Sequence, residues 1–182
     1  MPFTDVMIDI ETLSTDPNAA VIQIGAVAFN LQTGEIGKRP FKIHVFPSPE
    51  STVSYDTVCW WMQQSDEARK SVFETSACAV EYEAVFQLET WLQLEVGDTK
   101  ETNFWAMPPT FDLTILENMM ARAGCAPLWK YNRTRCLRTL AEVAGAKKED
   151  RVVPTIAHDA AADALAQAQS AIKYYRMLKG EI

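Results

Sequence analysis

Val6-Met7-Ile8-Asp9-Ile10-Glu11-Thr12-Leu13 sets two carboxylates one residue apart inside an apolar run. In a β-strand, residues i and i+2 project from the same face. Asp9 and Glu11 are therefore expected side by side at the end of an otherwise buried strand. Two like charges held that close in a core repel, and the cost is large unless a positive group stands between them. A divalent cation is the simplest such group. The alternative is an edge strand with both carboxylates in water.

The segments that follow supply a sheet around this stretch. Residues 5–10 read as a first buried strand. Residues 19–30, rich in β-branched side chains, read as a second. A turn at Gln32-Thr33-Gly34-Glu35 leads to a third, half-exposed strand over residues 39–46. Short connections make these an antiparallel meander, with the first strand inside the sheet. Helices are expected over residues 55–64, after a Ser65 cap, and over 79–94. A short strand over 103–107 ends at Pro108-Pro109. Thr110 is a candidate cap for a helix over 111–123, closed by Gly124. A helix over 136–144 and a long one over 159–179 complete the chain. In the last, Ala161, Leu165, Ala168, Ile172 and Tyr175 form the inward stripe.

The chain has 182 residues, 48% of them hydrophobic and 23% charged. That suits one α/β domain over residues 1–182 and argues against disorder. Met1-Pro2-Phe3-Thr4-Asp5 does not resemble a signal peptide, and no apolar run approaches the roughly 18 residues of a membrane span. Cys59, Cys78, Cys125 and Cys136 lack metal-binding spacing and read as reduced thiols, so a cytoplasmic location is expected.

A net charge of −7 argues, taken alone, against a protein that coats nucleic acid. The charge is unevenly spread. Residues 1–30 hold Asp5, Asp9, Glu11 and Asp16 and no base. Residues 122–151 carry Arg122, Lys130, Arg133, Arg135, Arg138, Lys147, Lys148 and Arg151 against Glu142, Glu149 and Asp150. An acidic centre beside a basic patch fits an enzyme that handles phosphates through metal. A chance fluctuation on a solvated face is the plainer reading.

Two later acids match the first pair. Asp112 stands in the first turn of an expected helix, where a carboxylate is often only a cap. Asp163 sits among Ala160, Ala161, Ala162 and Ala164, where aspartate is a poor helix former. His158 precedes it by five residues, too far round a helix to share its face. It is expected in the loop at the helix entrance, with Asp159 as N-cap. A histidine there, beside a metal carboxylate, suits a general base, though a backbone-bonded entry histidine is the simpler alternative. His44 reads as a surface residue.

Asp9-Ile10-Glu11-Thr12, then Phe111-Asp112, then His158 with Asp163 five residues on, resembles the DEDDh group of 3′–5′ exonucleases. The resemblance covers nearly the whole chain. Trp60-Trp61-Met62-Gln63-Gln64-Ser65 resembles a segment of the phage exonuclease A type. Arg135-Cys136-Leu137-Arg138-Thr139-Leu140 resembles a segment shared by that branch and a bacterial exoribonuclease branch. Ala106-Met107-Pro108-Pro109 departs from the glycine- and asparagine-rich stretch of such relatives.

The resemblance implies a ribonuclease-H-like α/β fold: a mixed sheet, an antiparallel meander of three strands plus parallel strands, flanked by helices. It also implies two ions of Mg²⁺ or Mn²⁺. Asp9, Glu11 and Asp163 would hold the ion that binds the attacking water. Asp9 would bridge to the second ion, supported by Asp112, and His158 would take the proton. Thr12 and Leu13 would meet the terminal nucleotide. Trp60 or Trp61, and Phe111, are candidates for stacking on bases, although core packing suits at least one tryptophan better. Arg135 and Arg138, three apart on one expected helix face, are candidates for phosphate contact or for structural ion pairs.

The activity expected is release of nucleoside monophosphates from single-stranded or frayed 3′ ends, DNA favoured over RNA. An exoribonuclease and a non-catalytic binding module of the same fold are the rivals. The partner is nucleic acid and not membrane. Oligomeric state stays open, a homodimer included.

Overall fold

The computed structural model describes residues 3–73 and 76–182. Six strands form one sheet: β1 (Asp5–Thr12), β2 (Val21–Phe29), β3 (Phe41–Phe46), β4 (Ala79–Val80), β5 (Asn103–Ala106) and β6 (Thr134–Cys136). Their order is β4-β3-β2-β1-β5-β6. β1 to β3 form the expected antiparallel meander, and β5 and β6 continue the sheet in parallel with β1. The first strand is thus central, and the edge-strand alternative for Asp9 and Glu11 falls. This is the mixed sheet expected of a ribonuclease-H-like α/β fold.

Alternation along β1 sorts the two faces. Val6, Ile8 and Ile10 point to one side and join a core with Ala84, Leu88, Leu113 and Leu116. That layer comes from α3 (Glu81–Glu95) and α4 (Pro109–Arg122). Met7 points to the other side, packing with Leu137, Ala164, Ala168 and Ala171. Those residues come from α5 (Leu137–Val143) and α6 (Ala160–Lys179). Asp9 and Glu11 share the Met7 side, under the start of α6. Helices α1 (Tyr55–Met62) and α2 (Asp66–Val72) pack at the end of β1, where Trp61 and Val72 meet Leu13 and Ile22, with Ser65 capping α2 through Ala68 N–H. Among the described residues no helix is long and apolar enough to cross a membrane.

Alanines and one glycine bring α6 close to the sheet. A Cβ on Gly25 would lie 2.1 Å from the carbonyl carbon of Ala160 and 2.3 Å from the nitrogen of Ala161. Gly25 pairs with Asp9 across the β1–β2 ladder. The first turn of α6 therefore rests directly beside the Asp9 carboxylate.

Four expectations are corrected. Thr110 does not cap α4: Pro108 holds that position and Pro109 begins the helix, where a missing N–H costs nothing. Residues 79–80 pair in parallel with β3, so α3 starts at Glu81. Residues 134–136 pair with β5, so α5 starts at Leu137 and Arg135 lies on a strand. Arg135 and Arg138 therefore share no helix face. The inward face of α6 is rotated from the expected stripe: Ala164, Ala168, Ala171 and Tyr174 are buried, whereas Ala161, Leu165 and Tyr175 are half-exposed.

Candidate active site

Parallel strand β5 ends at Ala106, just past its Met7–Trp105 pair, and the chain leaves it for α4, while β1 runs on through Asp9 and Glu11 to Thr12. In open α/β sheets a crevice forms at this place. A cavity of about 570 Å³ opens there, lined by Asp9, Glu11, Asp112, His158, Asp163 and Gln167, with Arg138 and Arg151 at its border. A second cleft of about 430 Å³ adjoins it. The two share Ile10, Glu11, Trp60 and Phe111.

Each carboxylate is carried by β1 or by the first turn of a helix. Asp9 and Glu11 stand on β1, and one oxygen of each lies within 4.8 Å of the other and of an Asp163 oxygen. Asp163 sits in the first turn of α6 and accepts the His158 backbone N–H at 2.8 Å. Asp112, in the first turn of α4, accepts the Ile10 N–H at 3.3 Å. That bond ties α4 to the strand between the two acids of the opening motif.

Burial dominates the electrostatics. It raises Asp9 well above the usual carboxylate range, and Asp112, Glu11 and Asp163 push it further. Burial, then Asp163 and Asp112, lift Glu11 to about 8. Burial lifts Asp112 to about 7 against backbone N–H donors and the Arg138 charge. Asp163 is raised by burial, opposed by His158 and Arg151. The chain alone thus cannot ionise all four near neutral pH. A bound cation would supply the missing charge. The three clustered donors are all hard carboxylate oxygens, with no thiol or imidazole among them. This donor set fits Mg²⁺ or Mn²⁺.

His158 occupies the loop before α6, as expected, with the adjacent Asp159 capping through Ala162 N–H at 3.0 Å. Its φ is 61°, a left-handed conformation that few non-glycine residues adopt. The ring packs edge-on against Trp60 and Trp61, at 4.9 and 5.8 Å between centroids. Asp159 is itself braced: Lys42 Nζ donates to it at 2.5 Å, and Ser71 Oγ also donates to it. Gln23, on β2, accepts the Ala160 N–H at 2.7 Å. Three separate elements thereby fix the entrance to α6.

The remaining candidates divide. Thr12 ends β1, donates Oγ1 to the Ser14 carbonyl at 2.6 Å and lines the second cleft. Leu13 packs with Ile22, Trp61 and Val72. Phe111 lines both clefts. Trp61 is only 2% exposed and donates its indole N–H to the Thr12 carbonyl at 2.9 Å, so it forms the wall of the cleft. Trp60 is 42% exposed and offers the free aromatic surface. Arg138 borders the carboxylates, whereas Arg135 is committed elsewhere, to Asn103 Oδ1 at 2.9 Å. His44 is not a simple surface residue: its Nε2 lies 2.6 Å from the Ser71 carbonyl oxygen.

Two cleft residues escaped the sequence reading. Gln167 donates to Asp9 Oδ1 at 2.6 Å, and its position one turn after Asp163 was the available signal. Arg151 was visible only as one cation of a basic stretch.

Residues 4–175 match the family described as the 3′–5′ exoribonuclease Rv2179c-like domain. The chain belongs to that family. Besides this Rv2179c-like match, the chain is 25% identical over 125 residues to the exodeoxyribonuclease of enterobacteria phage T4. The match covers 64% of this chain and 55% of that relative. Among solved structures, E. coli exonuclease I in complex with single-stranded DNA aligns with a TM-score of 0.66 and 16% identity, over 92% of this chain and 39% of that one. Apo exonuclease I gives 0.67 and 17%, over 97% and 42%. At that identity the likeness shows the fold. The Rv2179c-like chain spans about half the length of the phage relative and about two fifths of the structural ones.

Proposed function

We propose that residues 1–182 act as one metal-dependent 3′–5′ exonuclease domain, releasing nucleoside monophosphates from single-stranded or frayed ends. The observation that carries this reading is the convergence of Asp9, Glu11, Asp112 and Asp163 in one cleft beside His158. Two divalent ions, Mg²⁺ or Mn²⁺, held by those four residues would activate the attacking water and steady the leaving oxygen. Asp9, on which Asp112, Glu11 and Asp163 all act, would serve both ions. His158 Nε2 or Nδ1 would take the proton of the attacking water. Thr12 and Leu13 would border the terminal nucleotide, Trp60 and Phe111 would stack on bases against the Trp61 wall, and Arg138 would meet phosphate.

DNA is the favoured substrate, because the phage relative is an exodeoxyribonuclease and exonuclease I holds single-stranded DNA. The family description, an exoribonuclease domain, supports the second reading, RNA 3′ ends. Matched DNA and RNA oligonucleotides, labelled at either end and incubated with Mg²⁺ or EDTA, test both. Metal-dependent loss of the 3′ label before the 5′ label is expected, faster on DNA. Retention of both labels with metal present would remove the enzyme reading.

A further inference from the structure

Arg151 has no task in this mechanism. Most arginines of the chain are visibly committed. Arg39, Arg69, Arg122 and Arg133 sit in ion pairs, and Arg135 bonds to Asn103. Arg138 and Arg151 are exposed, border the carboxylate cleft and, among the described residues, make no ion pair or side-chain hydrogen bond. Their charges act on the acids nearby, Arg138 on Asp112 and Arg151 on Asp163, without a direct ion pair; Asp163 accepts the His158 N–H and Asp112 the Ile10 N–H.

The backbone around Arg151 is nevertheless fixed on both sides. Asp150, just before it, accepts the Lys147 N–H and Lys173 Nζ, each at 2.9 Å. Val152, just after it, donates its N–H to Ser170 Oγ on α6 at 3.0 Å. A turn of 3₁₀ helix over Lys148–Asp150 is thus pinned to α6, and the Arg151 side chain is left unengaged at the cleft. Arg138 is held comparably, one residue after Leu137, which is 1% exposed in the core. Loops pinned in this way lose little freedom on binding. A planar guanidinium with five donors suits a phosphate better than any single carboxylate oxygen does.

We propose that Arg151 binds the scissile phosphate of the substrate backbone and, with Arg138, closes a clamp on it from two sides of the cage. Arg151 stands on the Asp163 side and Arg138 on the Asp112 side. The phosphate between them would meet a guanidinium whichever oxygen it turns outward. The inference rests on the exonuclease reading and adds to it a residue that grips the charge at the reacting linkage.

The test uses the whole chain and a single-stranded DNA oligonucleotide. Binding is followed by fluorescence anisotropy against salt, in a His158→Gln background that slows turnover, for the native arginine and for Arg151→Ala and Arg151→Lys. Arg151→Ala is expected to weaken binding about tenfold and to flatten the salt dependence by about 0.7 in the log–log slope. Arg151→Lys is expected to restore the slope but not the full affinity. Arg176→Ala, an exposed arginine distant from the cleft, is the control. An oligonucleotide with a neutral methylphosphonate at its 3′-terminal linkage is expected to bind equally with the native arginine and with Arg151→Ala. Unchanged affinity and slope in Arg151→Ala would overturn the clamp. A penalty that persists with the neutral linkage would overturn the assignment to the scissile phosphate. Full activity of the native chain on 3′ ends, alongside either result, separates these failures from failure of the exonuclease reading.

Discussion

Gln167 donates its side-chain amide to Asp9 Oδ1 across 2.6 Å, so the last helix grips the carboxylate at the centre of the cage. The Gln167 side-chain oxygen is buried with no hydrogen-bond partner among the described residues. The bond orients Asp9 before any cation arrives. Groups that orient a ligand from behind typically contribute 10–100-fold in metal affinity or activity. Gln167→Ala is expected to raise the Mg²⁺ or Mn²⁺ concentration needed for half-maximal rate by about that range. Metal titration of the nuclease rate checks this, with the rate recovering at saturating metal.

The raised acids predict an unusual pH dependence for the metal-free protein. The folded chain holds protons on Glu11 up to about pH 8 and on Asp112 up to about 7, whereas the unfolded chain releases them near 4. Across that window the native state binds more protons, so stability is greatest at the acid end and falls as pH rises. Divalent metal displaces those protons and should stabilise most at the alkaline end. Melting temperatures from pH 5 to 8.5 in EDTA and in Mn²⁺ test the pair of trends. A rise with pH in EDTA would contradict the burial of these groups.

Gly25→Ala would force a methyl into the backbone of Ala160 and Ala161. Backbone cannot swing aside as a side chain does, so α6 must lift from β2. A loss of about 1–3 kcal/mol is expected, together with a fall in activity because Asp163 and His158 ride on that turn. Chemical denaturation and a rate measurement on the same sample check both.

Trp60 and Trp61 should respond oppositely. Trp61→Ala removes a buried side chain and an indole bond to the Thr12 carbonyl, and is expected to cost about 3–5 kcal/mol of stability. Trp60→Ala is expected to cost about 1 kcal/mol yet to raise KM on single strands roughly tenfold or more. Thermal melts and steady-state kinetics of the two variants separate packing from stacking.

His158 sits at φ 61°, where glycine is at ease and histidine is not. His158→Gly is therefore expected to melt no lower than the native chain while its turnover falls about 10²–10⁴-fold. A large drop in melting temperature would show that the ring contacts with Trp60 and Trp61 outweigh the backbone strain.

The central strand, the meander and Asp159 as a cap were legible from local signals: alternation and a capping residue. Asp9, Glu11 and Asp163 stood out as carboxylates in apolar settings, whereas Asp112 and His158 joined them through the resemblance to the DEDDh group; the structure brings all five to one cleft. What escaped depends on contacts distant in sequence. Strand β6 has three residues and carries no period of its own; only pairing with β5 defines it. With it went the shared face assumed for Arg135 and Arg138. Gln167 looks like any polar residue of a helix until α6 is laid on β1. Lys42, Ser71 and Gln23 brace Asp159 and Ala160 from elements with no sequence link to them.

The Gln167–Asp9 bond joins residues 158 positions apart. A ribosome makes Asp9 and Glu11 almost at once, but Asp163, Gln167 and His158 only after every strand of the sheet. Until α6 emerges, β2 presents a bare Gly25, and Asp9 and Glu11 lack the Asp163 carboxylate and the His158 ring that complete the cluster. On the proposed reading, a growing chain, or a fragment that has lost α6, would hold the first two carboxylates without the rest of the site and would be inactive.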